Sequence, residues 1–131
     1  DVRPMDAIFF CLADPGVNIS VTWTAAGGEK ELTEAAVNEM KEMLRKSYPG
    51  YSVTAEEWRE LDGVRAYALS ARHRGMGAEL QNKQVMFIKG DRFYTITYTS
   101  TPALFLKHLG EFELAVGSFG TVGEKAPPVV P

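Results

Sequence analysis

The sequence predicts an α+β domain in which a mostly antiparallel sheet of about six strands is flanked by two helices, in the order ββ-α-ββββ-α. Two strand-like runs at the start are separated by a turn that contains Pro-Gly. Four more follow with short links, which favour antiparallel pairing because a parallel return needs a crossover of a dozen or more residues. Two segments with apolar residues three and four apart indicate helices, one after each group of strands.

The N-terminal part of the chain predicts a β-hairpin. Asp6–Leu12 is a short apolar run, and Val17–Ala25 alternates between apolar and polar side chains, the pattern of a half-buried strand. The intervening Ala13–Gly16 ends in Pro-Gly, a pair that favours a turn. Cys11 is the only cysteine and falls in the first run, so we expect a small buried thiol and no intrachain disulfide.

A first helix is predicted over Glu34–Ser47. Thr33 is a suitable N-cap, and Leu32 and Val37 stand where a hydrophobic staple places them. Apolar positions inside the segment recur three and four residues apart, which leaves the charged side chains for the solvent side. The Tyr-Pro-Gly sequence that follows ends the helix.

Four strands are predicted next. Glycine-containing links, among them Asp62-Gly63 and Gly90-Asp91, separate them, and such links are typical of hairpins. Side chains of the last strand alternate between an aromatic and apolar set and a threonine-rich set, so its two faces should differ. The predicted strands are Tyr51–Glu60, Val64–His73, Glu79–Lys89 and Arg92–Ser100.

A second helix is predicted after the last strand, with Thr101 as its N-cap and Pro102 at its first position. Its apolar residues recur at four-three-four-three spacing and should cover one face of the sheet; they are Phe105, Leu109, Phe112, Val116 and Phe119. We therefore expect a single domain over residues 1–120. Residues 121–131 have no periodicity and are rich in proline, which indicates an extended tail or linker.

Length and composition indicate one globular domain with a core of its own. The chain has 131 residues, of which 45% are hydrophobic and 24% charged. The net charge is -3 and the basic residues are scattered, which argues against a nucleic-acid surface, because such a surface needs a basic stripe. No apolar run approaches the roughly 20 residues of a membrane span.

No motif carries a chemistry by itself, so no catalytic residue, metal ligand or cofactor is predicted. His73 lies between two arginines at a strand end, with no carboxylate nearby in sequence to orient it, and is expected on an exposed basic rim. His108 is expected at the edge of the core or in solvent, and two histidines so far apart make no zinc spacing. Glu56 and Glu57 are neighbours in a strand and should point to opposite faces.

Four residues are candidates for partner binding. Trp58 and Tyr51 fall on one predicted strand, where they belong either to the core and its rim or to an interaction surface. Arg72 and Arg74 fall at the end of the next strand. Aromatic and arginine residues dominate interface energetics, so these four form the candidate partner-binding set.

Four segments of the chain carry a family resemblance: ELTEAAVNEM, YPGYSVTAEEWRELDGVRAYALSA, NKQVMFIKGDRFYTITYTS and a final helix that ends in VGSFG. Together they resemble the PsbP-like superfamily, which includes DcrB-type and LpqN-type bacterial lipoproteins, Eag-type effector chaperones and a Ran-binding nuclear-import factor. The resemblance implies an antiparallel sheet between helices. It also implies a binding or assembly role rather than catalysis.

The first functional hypothesis is therefore a non-enzymatic binding or assembly domain that engages a protein partner. The soluble part of a bacterial lipoprotein would be one form of it, as the resemblance implies. A chain that begins at Asp1 rather than Met fits either a removed leader or a shortened sequence. An extracytoplasmic location with a lipid anchor upstream is expected, and a cytoplasmic location is the alternative. The second hypothesis is a small-ligand carrier with a pocket between sheet and helix, and the third is an enzyme of unrecognised type.

Overall fold

The computed structural model describes residues 5–10, 14, 16–61, 63–75 and 77–122. These residues form six strands and two helices in the predicted order. The elements are β1 Met5–Phe10, β2 Asn18–Ala25, α1 Glu34–Ser47, β3 Ser52–Leu61, β4 Val64–Gly75, β5 Ala78–Lys89, β6 Arg92–Ser100 and α2 Pro102–Val122. The predicted limits of α1 and β6 are confirmed to the residue, and those of β2 to β5 differ from the prediction by one or two residues. The first strand begins one residue before its predicted start, and its predicted end lies outside the described residues.

The six strands form one antiparallel sheet in the order β1-β2-β6-β5-β4-β3. The strands from β3 to β6 pair with their sequence neighbours, as the short links predict. Gly63 (φ 84°) and Gly90 (φ 65°) occupy left-handed backbone conformations at two of these links, which glycine adopts without steric cost. The N-terminal hairpin joins the sheet through β2, which pairs with β6, and β3 is left at the far edge.

The two helices cover opposite faces of the sheet. Successive side chains of a strand point to opposite faces, so β4 contributes Ala66 and Ala68 to the α2 side and Tyr67 and Leu69 to the α1 side. On β6 the aromatic and apolar set lies beneath α2, as the alternation predicted. The α+β class and the sheet between two helices are therefore confirmed.

Helix α1 begins as its sequence predicts. The Thr33 hydroxyl accepts a hydrogen bond from the Ala36 backbone N–H at 3.2 Å, the bond of an N-cap. Leu32 and Val37 are both buried in the cluster beneath α1 and form the staple. Farther along, Lys41 donates a 2.7 Å hydrogen bond to a carboxylate of β3, which ties the helix to the sheet.

Helix α2 packs its predicted stripe against the sheet. Phe105, Phe112 and Val116 are buried, and Leu109 packs against the same cluster. The buried Tyr98 ring stacks on both phenylalanines, with centroids 5.0 Å from Phe105 and 5.5 Å from Phe112. The Tyr98 hydroxyl donates a 2.6 Å hydrogen bond to the Phe105 carbonyl, which satisfies a buried polar group and fixes the first turns of the helix.

Some sequence predictions fall wholly or partly outside the described residues. They include the end of the first predicted strand, the Cys11 thiol, the turns at residues 13–16 and 62–63, and the Phe119 side chain. The proline-rich tail is another: α2 continues to Val122, and residues 123–131 lie beyond the described range.

Candidate functional site

The strands β3 and β4 form a two-stranded ribbon that carries the predicted partner-binding residues. Trp58 lies directly opposite Tyr67, and the two rings meet edge to face with centroids 4.9 Å apart. The Arg65 guanidinium lies 3.8 Å from the Trp58 ring centroid, a cation–π contact. Trp58 is half-buried beside the cluster under α1, so packing accounts for part of its ring.

Tyr51 and Arg74 lie together at the other end of this ribbon. The Tyr51 ring stacks on Tyr48 at 6.2 Å, and burial raises the pKa of Tyr51 to about 12. Among the described residues, the buried Tyr51 hydroxyl has no hydrogen-bond partner. The Arg74 backbone N–H donates a 2.9 Å hydrogen bond to the Pro49 carbonyl, which closes the loop from α1 over the end of β4.

His73 does not lie on an exposed rim, so that expectation is wrong. Its side chain is 7% exposed, and its ring centroid lies 4.6 Å from that of Tyr48. The cause is tertiary: the loop between α1 and β3 folds over the end of β4 and covers the imidazole. Within the described part of the chain no carboxylate contacts it, so no catalytic orientation of this histidine follows.

Arg72 lies on the opposite face of the ribbon from Trp58. It pairs with Gln81 of β5 on the α2 side of the sheet, and its nearest carboxylate is Glu79 at 3.9 Å, beyond hydrogen-bond distance. Three of the four predicted residues therefore lie on the ribbon and Tyr51 lies just before it, but the four do not form one patch. Tyr51 and Arg74 lie at one end, Arg72 faces α2, and Trp58 faces α1.

A cavity of about 360 Å³ opens beside Arg72, between strands β3–β5 and the first turns of α2. We call this cavity the α2 groove. Its sheet wall is mainly polar, formed by Thr54, Ala55, Ser70, Arg72, Gln81 and Lys83. Its helix wall is apolar, formed by Pro102, Phe105, Leu106 and Leu109.

A three-residue ion cluster pins α2 to the sheet near this groove. Glu113 of α2 accepts hydrogen bonds from Arg59 of β3 at 2.9 Å and from Lys83 of β5 at 2.5 Å. Burial by itself would raise the pKa of Glu113, but the two cations outweigh it and hold the pKa below its usual value. The carboxylate therefore stays ionised and keeps the helix in register with β3 and β5.

On the other face, a second carboxylate ties α1 to the ribbon. Glu56 accepts hydrogen bonds from Lys41 and from the buried Tyr67 hydroxyl. Lys41 first, and then Tyr67, lower the pKa of Glu56, while burial and the Glu56 carboxylate raise the pKa of Tyr67. Glu57 faces the other way and bonds Arg59, so the prediction that the two glutamates face opposite sides is confirmed.

His108 lies at the edge of the core, one of the two positions expected for it. Its Nε2 is 2.6 Å from Asp14 Oδ2, and its Nδ1 is 2.9 Å from Glu111 Oε1. Lys107 also contacts Asp14, at 3.1 Å. Asp14, and then Glu111, raise the pKa of His108, because an imidazolium can donate to both carboxylates and a neutral imidazole to one alone. The protonated form of the ring therefore joins α2 to Asp14, which lies before β2.

The His108 contacts predict a stability that falls as pH rises. The pKa of this imidazole is higher in the folded protein than in the unfolded chain, so its stabilisation is complete below the unfolded value of about 6.5. It is lost as pH rises through the folded pKa. Urea unfolding of the wild type between about pH 6 and 8.5 should therefore show a decline that His108→Gln flattens. Parallel pH profiles for the two proteins would contradict the assignment.

The described residues line further cavities, of about 240 and 170 Å³, and form no metal site. In the described ranges, no group of three histidine, cysteine, aspartate or glutamate side chains is arranged to hold a metal ion. Neither of the two helices, as far as they are described, has the length and apolar character to cross a membrane. A second cavity of about 240 Å³ lies under α1, among Met40, Met43 and Phe93.

Sequence reasoning missed most of the α2 groove. Ser70, Gln81 and Lys83 sit at ordinary alternating positions of strands, and nothing in the sequence indicates that a helix leaves them uncovered. Leu106 gave the one available signal, because it is a large apolar residue outside the helical stripe. Its side chain is 80% exposed.

Comparisons with known proteins agree with this architecture. Residues 5–118 match the sequence model of the DcrB family. A protein of unknown function from Pseudomonas aeruginosa, PA94, shares the fold with a TM-score of 0.78 and 19% identity, over 99% of this chain and 87% of that one. No curated protein matches the chain in sequence.

Two other solved structures are similar. Cyanobacterial PsbP (CyanoP) from Synechocystis has a TM-score of 0.63 and 18% identity, over 89% of this chain and 74% of that one. LpqN from Mycobacterium tuberculosis, which is involved in cell envelope biogenesis, has a TM-score of 0.61 and 14% identity. That match covers 82% of this chain and 63% of LpqN. The resemblance to the PsbP-like superfamily is thereby confirmed, and at these identities the likeness is one of fold.

Proposed function

We propose, from the premise that this chain belongs to the DcrB family, that it is a non-enzymatic binding domain that engages a protein partner along the β3 edge of its sheet. The observation that carries the proposal is the position of the ribbon. Among the described strands, β3 pairs with β4 alone, so its outer edge presents unpaired backbone groups. Three of the four candidate residues lie on this ribbon and Tyr51 immediately precedes it.

Side chains beside the edge strand support a protein partner. Arg72 and Arg74 are exposed, and Trp58 and Tyr51 are half-buried. An extended segment of a partner can add to such an edge through backbone hydrogen bonds, while neighbouring side chains supply specificity. Arginine and aromatic residues are the types that contribute most to binding energy at protein interfaces.

An enzymatic role finds little support among the titratable residues. His73 and Arg72 project to opposite faces of β4, so they cannot converge on one substrate. His108 bonds two carboxylates and serves to join two segments of the fold. None of the three similar structures is named as an enzyme.

A small-ligand carrier is the second candidate function, and the α2 groove favours it by lying between sheet and helix. A carrier for an apolar ligand encloses most of the ligand's surface. Here Leu106 at the rim is 80% exposed, and the Arg72 side chain is 47% exposed. A groove this open is better suited to part of a larger partner than to an enclosed ligand.

The proposal also concerns the cellular location of the protein. We expect the native protein outside the cytoplasm, with a lipid anchor upstream of the described domain. Support comes from LpqN, a protein of similar fold that is involved in cell envelope biogenesis. A cytoplasmic location is the alternative.

The test is affinity capture from separated cytoplasmic and envelope fractions of the native source. A Trp58→Ala, Arg74→Ala double variant should recover about tenfold less of the partner than the wild type, because both residue types are typical of interface hot spots. The fraction in which the native protein and its partner are found reports the compartment. Circular dichroism and urea unfolding must first show that the variant is folded.

A matched double variant on the other half of the sheet provides the control. Trp23 of β2 is half-buried beneath Arg92 of β6, whose guanidinium lies 3.9 Å from its ring centroid. A Trp23→Ala, Arg92→Ala variant should capture the partner as the wild type does. Equal recovery by the two double variants would place the interface elsewhere. Substrate turnover that His73→Ala abolishes would overturn the non-enzymatic assignment.

A further inference from the structure

The α2 groove has two buried polar residues in its floor that lack protein partners. Ser70 of β4 is 7% exposed and Gln81 of β5 is 9% exposed, and both line the groove. Within the described ranges, no hydrogen bond joins either side chain to another residue, and neither polar end is among the fully buried, unpaired atoms, which are those of Tyr51 and Asn82. The polar ends therefore reach the open space of the groove, where an entering molecule can bond them.

The charge of the groove favours an anionic group. Among the described residues that line it, Arg72 and Lys83 are basic and none is acidic. Lys83 is already bonded to Glu113, so the attraction depends mainly on Arg72. Among the described carboxylates, only that of Glu79 pairs with Arg72, and at 3.9 Å it is beyond hydrogen-bond distance. The planar guanidinium can therefore bind another carboxylate in a bidentate manner.

The opposite wall of the groove favours an apolar group. Phe105 and Leu109 form the inner part of this helix wall, and Leu106 lies at the rim with 80% of its side chain exposed. These three side chains form one continuous apolar wall that opens to solvent, and apolar surface in a groove is a feature of interaction sites. A bound apolar side chain would cover Leu106 while an adjacent anionic group reached Arg72.

We propose that the α2 groove binds a segment of a partner protein in which an acidic side chain stands next to a bulky apolar one. This inference rests on the proposed function and names the chemistry of the partner. The carboxylate binds Arg72, and Ser70 and Gln81 supply hydrogen bonds at the floor. The apolar side chain packs on Leu106 and Leu109. A cavity of about 360 Å³ accommodates two side chains and leaves the peptide backbone at the open mouth, near β3.

The experiment is a peptide titration of the isotope-labelled protein followed by amide chemical shifts. The probe is a capped pentapeptide, Gly-Glu-Leu-Phe-Gly, for which we expect an affinity of about millimolar strength, as is usual for a short flexible ligand. Shifts should concentrate at Ser70, Lys83 and Leu106. A glutamine peptide, Gly-Gln-Leu-Phe-Gly, should bind about tenfold more weakly, because the charged hydrogen bond to Arg72 is lost.

Variants with matched controls test the same contacts from the protein side. The Arg72→Gln variant should bind the glutamate peptide about tenfold more weakly than the wild type does. It should then bind the glutamate and glutamine peptides with equal affinity. Arg45→Gln, which removes an exposed arginine of α1, should leave binding unchanged. Leu106→Ser should weaken binding, whereas Leu114→Ser, at a position 74% exposed on the same helix, should not.

Three outcomes would overturn the inference. These are the absence of shifts in the groove, undiminished binding by Arg72→Gln, and tighter binding of hexanoate than of the peptide, which would identify a small-carboxylate carrier instead. The proposed function is judged separately. If Arg72→Gln and Leu106→Ser capture the native partner normally while the Trp58, Arg74 variant does not, the groove assignment fails and the partner-binding function stands. If no variant changes capture, the proposed function fails as well.

Discussion

Phe112→Ala should lower the free energy of unfolding by about 3–5 kcal/mol, the largest effect that we expect of a single substitution in α2. The Phe112 side chain is fully buried between α2 and the sheet, and its ring stacks on Tyr98. Truncation removes a large apolar group and leaves a cavity that the helix cannot easily fill. Urea denaturation followed by circular dichroism measures the loss.

The same helix supplies the control for this substitution. Leu114 is two positions away and 74% exposed, so Leu114→Ala should change the stability by no more than about 0.5 kcal/mol. If Phe112→Ala costs less than about 1 kcal/mol, α2 is peripheral to the core and its assigned packing is wrong.

Leu69→Ala should lower the free energy of unfolding by about 2–5 kcal/mol, because it leaves a cavity on the face of the sheet that α1 covers. Leu69 is fully buried in the cluster beneath α1, with Met86 and the staple residue Val37. The cost arises from this second cluster, because Leu69 points away from α2. The measurement is the same urea denaturation.

Met43 of α1 provides the comparison for Leu69. Its side chain is 55% exposed, so the free energy of unfolding of the Met43→Ala variant should lie within about 0.5 kcal/mol of the wild-type value. A Leu69→Ala protein as stable as the Met43→Ala protein would mean that α1 does not close over the sheet.

Much of the fold could be predicted because its signals are local. The alternation in β2 and β6 is carried by each strand itself, and the limits of α1 follow from the Thr33 cap and the Tyr-Pro-Gly sequence after the helix. Apolar spacing in α2 correctly predicted that Phe105, Phe112 and Val116 are buried. Such features depend on residues within a few positions of one another, which the sequence displays directly.

The candidate site depends on contacts between distant segments, which the sequence does not display. His73 is buried because the loop after α1 covers it, not because of its own neighbours, two exposed arginines. Trp58 fell on a strand side that looked polar, yet α1 and Tyr67 give its ring a place to pack. The α2 groove exists because the helix leaves part of the sheet uncovered, and only the relative placement of the two defines it.

The pairing of β2 with β6 also sets the order in which the molecule can be assembled. Within the domain, the N-terminal hairpin is synthesised before the other strands, but its partner strand β6 is the last strand to be made. Val17 and Val21 likewise cannot complete their core packing until α2, at the other end of the domain, has been synthesised. Contacts between such distant segments slow folding, because the loop between them must close before the contacts repay its entropy. The strands from β3 to β6 can form by local steps, so we expect the N-terminal hairpin to dock after them.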